Sequence, residues 1–310
     1  MGRYYHSVSE LIGHTPLLEL TGFERANQLP AKILAKLEYL NPVGSSKDRT
    51  ALALLDQAEA DGRLQKGMTI IEPSQGNLAI SLATLAVARG YHFVVVVPET
   101  CKVERRKLFV YLGAEIVLTD GALGMRGAIA KAHEMAAERT DVCLIDGFRD
   151  QANPKIHKVS TGLEIWNDTS GKVDIFVAGI GTGGTITGVG EYLKLFDSSI
   201  QVVAVEPARS PVLTKGEIGV SKIKGIGASF IPAVLNTSVY DEVIDVEDED
   251  AYQTTRQLVR TDGIMAGISS GAVAWACAQL AMRPENKGKT IVTIFADSAE
   301  RYINDSLFEL

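Results

Sequence analysis

The sequence predicts an α/β protein whose strands form doubly wound, mainly parallel sheets. The first observation is the repeated order of a short apolar strand, a tight turn and a helix. The second is the run at residues 93–97, which is apolar on both faces and therefore predicts a buried parallel strand. The third is that the connecting loops are short, as they are between parallel strands and their crossover helices.

The first half of the chain contains four predicted strands. They lie at residues 68–71, 93–97, 115–118 and 142–145. Helices are predicted at residues 77–89, 125–138 and in the basic amphipathic stretch 102–112. The side chain of Asn77 is expected to cap the first of these helices, and Gly90 to end it.

The second half repeats this pattern, with strands predicted at residues 173–178, 201–205 and 290–295. Helices are predicted to begin at Gly184 and near Ala251. The glycine- and lysine-rich segment 215–227 predicts a loop. The acidic stretch 243–250 is interpreted as an exposed face that leads into a helix rather than as a metal site. A change of composition at residues 146–153 predicts a domain boundary.

Composition and charge exclude several classes of protein. The chain has 310 residues and a formal net charge of −7, which does not suit a binder of nucleic-acid phosphates. No apolar run approaches the ~20 residues of a membrane-spanning helix, and the N-terminus lacks the apolar segment of a signal peptide, so the expected location is the cytoplasm. Three widely spaced cysteines and five scattered histidines predict neither a disulfide framework nor a metal centre.

The strongest local motif is the glycine-rich turn at residues 179–185, which follows a predicted strand and opens a helix. Backbone N–H groups and the helix dipole at such a turn favour a bound phosphate. Thr182 and Thr185 add two hydroxyl groups, which suit a compact terminal phosphate better than a pyrophosphate. A tight turn without a ligand is the alternative.

The same glycines also permit a nicotinamide-binding interpretation. Gly179, Gly181 and Gly184 match the G-x-G-x-x-G pattern, and Glu206 ends the next strand where an acid would bind a ribose. This interpretation leaves the chemistry of the first half of the chain unexplained.

A second turn leads into a helix at residues 41–49, where Ser45 or Ser46 is expected to cap the helix and Lys47 lies in its first turn. The helix dipole disfavours a positive charge at this end. A desolvated lysine there has the lowered pKa that a Schiff-base nucleophile requires. An exposed lysine without a role is the alternative.

Two more turns lead into helices. The first, Ser74-Gln75-Gly76-Asn77, offers backbone N–H groups for a carboxylate and an amide that can meet a phenolic oxygen. The second is the serine- and glycine-rich segment 267–272. Each is equally consistent with an ordinary capped helix start.

Considered jointly, these turns predict a binding site for pyridoxal phosphate. They supply a lysine that can form an imine, an amide, a turn that binds phosphate and a later serine-rich turn. The chain resembles the cysteine synthase (O-acetylserine sulfhydrylase) family, which belongs to fold type II of the pyridoxal-phosphate enzymes. The likeness covers nearly the whole chain. The matching motifs lie, in family order, at residues 11–17, 36–38, 41–49, 98–100 with 104–107, 152–154, 179–188, 205–207, 225–227, 266–272 and 297–302.

The resemblance implies two doubly wound domains with pyridoxal 5'-phosphate in the cleft between them. The smaller domain would comprise residues 39–147, and the larger one residues 1–38 and 148–310. In this family O-acetylserine loses acetate to leave an aminoacrylate, and sulfide then adds to give cysteine. The resemblance also implies a homodimer. Some members bind the C-terminal tail of serine acetyltransferase, a partnership that the altered substrate loop described below makes doubtful here.

The resemblance further implies the roles of individual residues. Lys47 would bind the cofactor covalently and act as the base, Asn77 would bond its ring oxygen, and Ser269, rather than Ser270, would meet its pyridine nitrogen. The cofactor phosphate would be bound by Gly181, Thr182, Gly183, Gly184 and Thr185. The substrate would be bound by Ser74, Gln75, Gly76, Asn77 and Gly227.

The sequence departs from the family around the substrate. The family loop usually reads Thr-Ser-Gly-Asn-Thr, so Gln75 and Leu78 each replace a small hydroxyl residue. Gly147 stands where the family has a glutamine that also binds the substrate carboxylate, and residues 218–221 replace a common Pro-Gly-Pro-His. One hypothesis is that the Gln75 amide substitutes for the missing glutamine.

The altered substrate loop leaves other functions open. The enzyme could accept a different amino acid or consume cysteine, releasing sulfide and forming a thioether amino acid with a second thiol. A regulatory homologue that binds the cofactor but turns over poorly is a third hypothesis, and a nicotinamide oxidoreductase is the fourth.

Overall fold

The computed structural model describes residues 4–309, which form two mainly parallel sheets flanked by helices. The strands are β1 (Leu17–Glu19), β2 (Lys32–Leu37), β3 (Thr69–Glu72), β4 (His92–Pro98), β5 (Glu115–Thr119), β6 (Val142–Leu144), β7 (Ile175–Gly179), β8 (Gln201–Pro207), β9 (Glu242–Val246) and β10 (Thr290–Phe295). The helices are α1 (Thr21–Ala26), α2 (Lys47–Ala60), α3 (Asn77–Ala88), α4 (Val103–Tyr111), α5 (Gly124–Ala137), α6 (Ala152–Ile156), α7 (Leu163–Asp168), α8 (Gly184–Phe196), α9 (Val212–Lys215), α10 (Asp248–Asp262) and α11 (Ile268–Ala281). The predicted fold class is therefore confirmed.

The smaller unit comprises the described residues up to Ile12 together with Lys47–Ala152. Its sheet has the strand order β5-β4-β3-β6, and all of its strands are parallel. The apolar run at residues 93–97 lies on β4 and is fully buried, as predicted. The inner face of α5 is lined by alanines that pack on β3 and β4 and cover one face of this strand.

The larger unit comprises Gly13–Ser46 and the described residues from Asn153 onwards. Its sheet has the strand order β1-β2-β10-β7-β8-β9, and only β1 runs antiparallel to its neighbour. Residues of β7, β8 and β10 point alternately into two apolar cores, one formed with α10 and α11 and the other with α8. Helices therefore pack on both faces of this sheet.

The observed division differs from the predicted boundaries at three places. Residues 39–46 belong to the larger unit, because the Ser46 N–H bonds the Ala296 carbonyl at 2.8 Å and Ser45 pairs with Asp297. The described residues up to Ile12 belong to the smaller unit, where a 3-10 turn at Val8–Leu11 contacts α3. The last boundary falls after Ala152 rather than after residue 147, within the predicted change of composition.

Two local predictions are wrong. Asn77 is the first helical residue of α3 rather than its cap, and the N-cap is Gly76, whose extended backbone makes no side-chain cap bond. The acidic stretch predicted as an exposed face forms the edge strand β9, and α10 already begins at Asp248. The predicted end of α3 is confirmed, since Gly90 follows it with a φ of +80°.

The loop after α9 is irregular over most of the predicted segment 215–227, and an acid at the start of α10 holds it. Asp248 Oδ1 accepts hydrogen bonds from Ser221 Oγ at 2.7 Å and from the Lys222 N–H at 3.1 Å.

The three cysteines are buried and unpaired, and residues 4–309 contain no group of acids, histidines and cysteines that could hold a metal. Within that range no helix is long and apolar enough to cross a membrane.

Candidate active site

Lys47 is the first residue of α2, at the position that the sequence predicts. Its side chain is half-buried, whereas the three following residues, Asp48, Arg49 and Thr50, are buried. Asp48 accepts a 2.6 Å hydrogen bond from Ser81 Oγ, which joins the first turn of α2 to α3. The start of α2 is therefore fixed by buried polar contacts, and the position of the Lys47 backbone is fixed with it.

The predicted substrate loop follows β3 and leads into α3. The Ser74 hydroxyl accepts a 3.1 Å hydrogen bond from the Gly76 N–H, and the Gln75 side chain is exposed. Because Gly76 provides no side-chain cap, the first turn of α3 presents its backbone N–H groups without a capping oxygen from the N-cap residue. Such a helix start favours an anionic group such as a carboxylate.

The two family departures at positions 78 and 147 form a single packing contact. A Cβ atom placed on Gly147 would lie 2.6 Å from Leu78 Cδ2 and 3.8 Å from Leu54 Cδ1. Leu78 is 5% exposed, so it cannot move aside into solvent without losing buried area. A side chain at position 147, such as the glutamine of the family pattern, would therefore require the buried end of Leu78 to shift.

A carboxyl group lies buried directly before the substrate loop. Glu72 ends β3, whose four residues are all buried, and Asp146 follows the neighbouring strand β6. Burial raises the pKa of Glu72 from 4.5 to about 8, and the charge of Asp146 adds to this rise. Sequence reasoning did not single out this residue, although an acid that closes an otherwise apolar strand was a visible signal.

The predicted phosphate turn joins β7 to α8. Gly183 is left-handed, with a φ of +84°, and α8 begins at Gly184. A Cβ atom on Gly184 would lie 2.0 Å from Asn153 Oδ1, so only glycine fits there. The Thr182 hydroxyl accepts a 3.0 Å bond from Asn153 Nδ2, and the Thr185 hydroxyl lies 3.3 Å from His157 Nε2. Asn153 and His157 thus position the two threonines, a role that sequence reasoning missed.

The structure brings Gly227 and Ser269 to this turn. The Gly227 N–H bonds the Ile180 carbonyl at 2.9 Å, and a Cβ atom on Gly181 would lie 2.6 Å from the Gly225 carbonyl oxygen. Ser269 Oγ lies 3.5 Å from the Cβ position of Gly225. The phosphate turn, the 225–227 segment and the start of α11 therefore form one cluster within the larger unit.

This cluster fits the phosphate and ring of pyridoxal phosphate. Glycines leave a concave backbone that a Cβ atom would fill, the start of α8 supplies N–H groups, and two threonine hydroxyls stand beside them. The start of α11 adds two serines. Ser270 is fully buried, and its hydroxyl makes no hydrogen bond within the described part of the chain, so it too can serve a ligand.

A family model described as pyridoxal-phosphate dependent enzyme matches residues 8–297 of the chain. The chain belongs to this family. Pyridoxal 5'-phosphate is therefore its cofactor, and the predicted membership in fold type II is confirmed by the similar solved structures described next.

The proteins that are similar to this chain include cysteine synthases and related sulfur enzymes. A cysteine synthase of Staphylococcus aureus is 44% identical over 97% of this chain and 96% of its own. The crystal structure of O-acetyl serine sulfhydrylase isoform 3 from Entamoeba histolytica has a TM-score of 0.96 and 43% identity, covering 99% of this chain and 92% of that one. A hydrogen sulfide-producing enzyme from Fusobacterium nucleatum has a TM-score of 0.93 and 38% identity, covering 98% and 99%.

Membership in the pyridoxal-phosphate dependent family agrees with the role that the structure gives to Glu206. This carboxylate accepts bonds from the Leu213 N–H at 2.8 Å and from the Thr214 N–H at 2.9 Å, and it is 2% exposed. It therefore holds the start of α9 and is not available to a ribose. The acid that made a nicotinamide enzyme a rival hypothesis is a structural residue.

Proposed function

We propose that this protein is a cysteine synthase, which converts O-acetyl-L-serine and sulfide into L-cysteine and acetate. The observation that carries the proposal is the 44% identity to the S. aureus cysteine synthase over nearly the full length of both chains. The expected lysine at the start of α2 and the complete phosphate turn support it.

We assign the following residues to the cofactor. Gly181, Thr182, Gly183, Gly184 and Thr185 bind its phosphate through N–H groups, hydroxyls and the dipole of α8. The Asn77 amide bonds the ring oxygen. The Ser269 hydroxyl would meet the pyridine nitrogen and, being uncharged, would leave that nitrogen unprotonated. Lys47 would hold the cofactor covalently through Nζ.

The reaction then divides between the cofactor and Lys47. Pyridoxal phosphate supplies an electron sink for the pair left at the substrate Cα. Lys47 Nζ would take the α-proton, and the β-acetoxy group would leave as acetate. Sulfide would add at the same β-carbon, and Lys47 would return the proton to Cα.

The substrate α-carboxylate is assigned to the loop before α3. Ser74, Gly76 and Asn77 would contribute hydroxyl, N–H and amide donors, and Gly227 is also assigned to the substrate. Because a side chain at position 147 would crowd the buried Leu78, we assign the missing side-chain amide to Gln75, whose side chain is exposed.

Replacing Gln75 with alanine is expected to raise the KM for O-acetylserine about 10-fold, because a hydrogen bond to a charged group contributes about 1.5–3 kcal/mol. Steady-state kinetics at saturating sulfide measure this change. Gln65→Ala, which alters an exposed glutamine of the same unit that bonds the Gly62 carbonyl, is the matched control. An unchanged KM in Gln75→Ala would remove Gln75 from the site.

The proposed activity is tested by comparing two reactions of the purified holoenzyme. Formation of cysteine from O-acetylserine and sulfide is expected to exceed release of sulfide from cysteine alone by about 10-fold or more in kcat/KM. The reverse order would replace the proposed function with consumption of cysteine. Bound cofactor without turnover of either substrate would instead indicate a regulatory homologue.

We also propose that the enzyme acts as a homodimer in the cytoplasm. Large apolar side chains that a partner would cover are exposed on the smaller unit, among them Tyr111 at 86% and Val110 at 63%. We expect no tight binding of a serine acetyltransferase tail peptide, because Gln75 alters the loop that would take its carboxylate. Sedimentation analysis and titration with the peptide check the two expectations.

A further inference from the structure

The residues directly before Lys47 are fixed by a segment that follows β10. The Ser46 N–H bonds the Ala296 carbonyl at 2.8 Å, and Ser45 pairs with Asp297. Consecutive Cα atoms lie about 3.8 Å apart across a trans peptide bond, so a shift of these serines is passed on to the lysine backbone. The position of Lys47 therefore depends on what holds the two serines and the loop around them.

One side chain reaches this loop from the same segment. Arg301, which is half-buried, donates through Nη2 to the Val43 carbonyl. The same nitrogen lies 3.1 Å from the position that a Cβ atom on Gly44 would take, and Gly44 has a φ of +89°, which favours glycine. The guanidinium thus lies against a bare stretch of backbone. Because its donors are held in one plane, it constrains the direction of the loop as well as its distance.

The turn that carries Arg301 is itself held in place. Tyr302 is buried, and its hydroxyl donates to Asp297 Oδ2 at 2.5 Å. The Asp297 carbonyl accepts the Gly267 N–H at 2.8 Å, and Gly267 is the N-cap of α11, whose first turn carries Ser269. This turn therefore joins the loop before the assigned lysine to the helix that carries the assigned serine.

We propose that Arg301 is a positioning residue for Lys47: its hydrogen bond to Val43 holds the loop before the lysine, and so directs the lysine amine towards the cofactor aldehyde. The inference rests on the proposed function, which takes Lys47 as the residue that binds the cofactor covalently. The threonines of the phosphate turn are instead positioned by Asn153 and His157. Loss of Arg301 is therefore expected to weaken the covalent link to the cofactor and to spare the binding of its phosphate.

The test compares two ligands of the cofactor-free protein in wild type and in Arg301→Met, which removes the donor but keeps a long side chain. Pyridoxal 5'-phosphate carries the aldehyde, and the lysine amine bonds to its carbon with loss of water. Pyridoxine 5'-phosphate carries an alcohol at that carbon and cannot form this bond. In Arg301→Met, the Kd of pyridoxal phosphate is expected to rise about 10-fold, whereas that of pyridoxine phosphate is expected to stay within about 2-fold of wild type.

Arg106→Met is the matched control, because the Arg106 guanidinium also donates to main-chain carbonyls, those of Cys101 at 2.9 Å and Glu99 at 3.0 Å. The loop that it holds contains no assigned cofactor or substrate residue, so both Kd values are expected to stay as in wild type. Arg301→Lys keeps the positive charge but not the planar set of donors, and it is expected to give a smaller rise in the Kd of pyridoxal phosphate. This milder variant carries the test if Arg301→Met does not fold.

A double-mutant cycle links the effect to the lysine. In a Lys47→Ala background neither ligand can bond to position 47, so adding Arg301→Met is expected to leave the Kd of pyridoxal phosphate within about 2-fold. An effect of Arg301→Met that is as large in that background as in wild type would overturn the proposal. Equal losses of affinity for both ligands, or no loss for either, would overturn it too.

A second readout needs no ligand. Hydrogen exchange of the cofactor-free protein, measured by mass spectrometry of its peptides, follows the Ser46 N–H and the Gly44 N–H, which bonds the Asn41 carbonyl at 2.8 Å. Arg301→Met is expected to speed exchange in this peptide about 10-fold and to leave that of β7 unchanged. Equal acceleration throughout the chain would indicate general destabilisation and overturn the proposal. Failure of O-acetylserine turnover with the expected binding and exchange results would count against the proposed function and leave this inference standing.

Discussion

Replacing Lys47 with alanine is expected to abolish the visible absorbance of the covalently bound cofactor and to lower kcat by at least ~10³-fold. The same amine is assigned two tasks, the covalent link and the transfer of the α-proton, and the loss of a positioned acid–base group alone lowers rates by about 10²–10⁴-fold. Absorbance of the purified protein and steady-state kinetics measure the two effects separately.

The control for this variant is Lys66→Ala, which removes an exposed lysine of the same unit and is expected to keep both colour and turnover. Borohydride reduction of the wild type, followed by peptide mapping, is expected to attach the cofactor to the peptide that contains Lys47. Attachment to another lysine, or a coloured and active Lys47→Ala protein, would contradict the assignment.

Replacing Gly184 with alanine is expected to lower cofactor affinity about 100-fold, which corresponds to about 2.7 kcal/mol. The new methyl group would lie 2.0 Å from Asn153 Oδ1, and Asn153 also holds the Thr182 hydroxyl through its amide. The side chain of Asn153 must move, so the Thr182 hydroxyl is no longer held in place. The added methyl group also keeps the cofactor phosphate from approaching the backbone of the turn closely. Titration of cofactor-free protein with pyridoxal phosphate measures the loss.

The double variant Gly184→Ala/Asn153→Ala provides the internal control, because the three atoms nearest the new methyl group all belong to the Asn153 side chain. We expect it to bind the cofactor more tightly than Gly184→Ala alone, although less tightly than wild type because the bond to Thr182 is gone. If the double variant binds no better than the single one, crowding at Asn153 is not the cause.

The repeating strands and helices were predictable because their signals are local. The valine-rich run of β4 is apolar on both faces, which a strand covered by helices requires. The edge strand β9 was missed, since its acids suggest an exposed surface. In the structure two of them are paired across neighbouring elements, Glu242 with Arg283 at 2.6 Å and Asp245 with Lys215 at 3.3 Å. Long-range pairing of this kind leaves no trace in a local pattern.

In the candidate site, too, local signals were predictable and long-range contacts were not. Turns rich in glycine and serine are visible in the sequence because they need special backbone conformations, and Gly183 adopts the left-handed one. Three features depend on contacts between distant segments: the packing of Leu78 on Gly147, the bond from Asn153 to Thr182, and the burial of Glu72 beside Asp146. Each of these contacts joins segments that only the folded sheets bring together, although the acid that closes the apolar strand β3 was visible in the sequence.

The strand order has a consequence for synthesis on the ribosome. The smaller sheet is built from one continuous stretch, β3 to β6, so its pairing can begin as soon as that stretch has emerged. In the larger sheet, β10 lies between β2 and β7, although it follows β2, β7, β8 and β9 in the chain. Until it is made, β2 and β7 each expose an unpaired edge. The nascent chain must therefore keep these edges from aggregating until β10 has emerged.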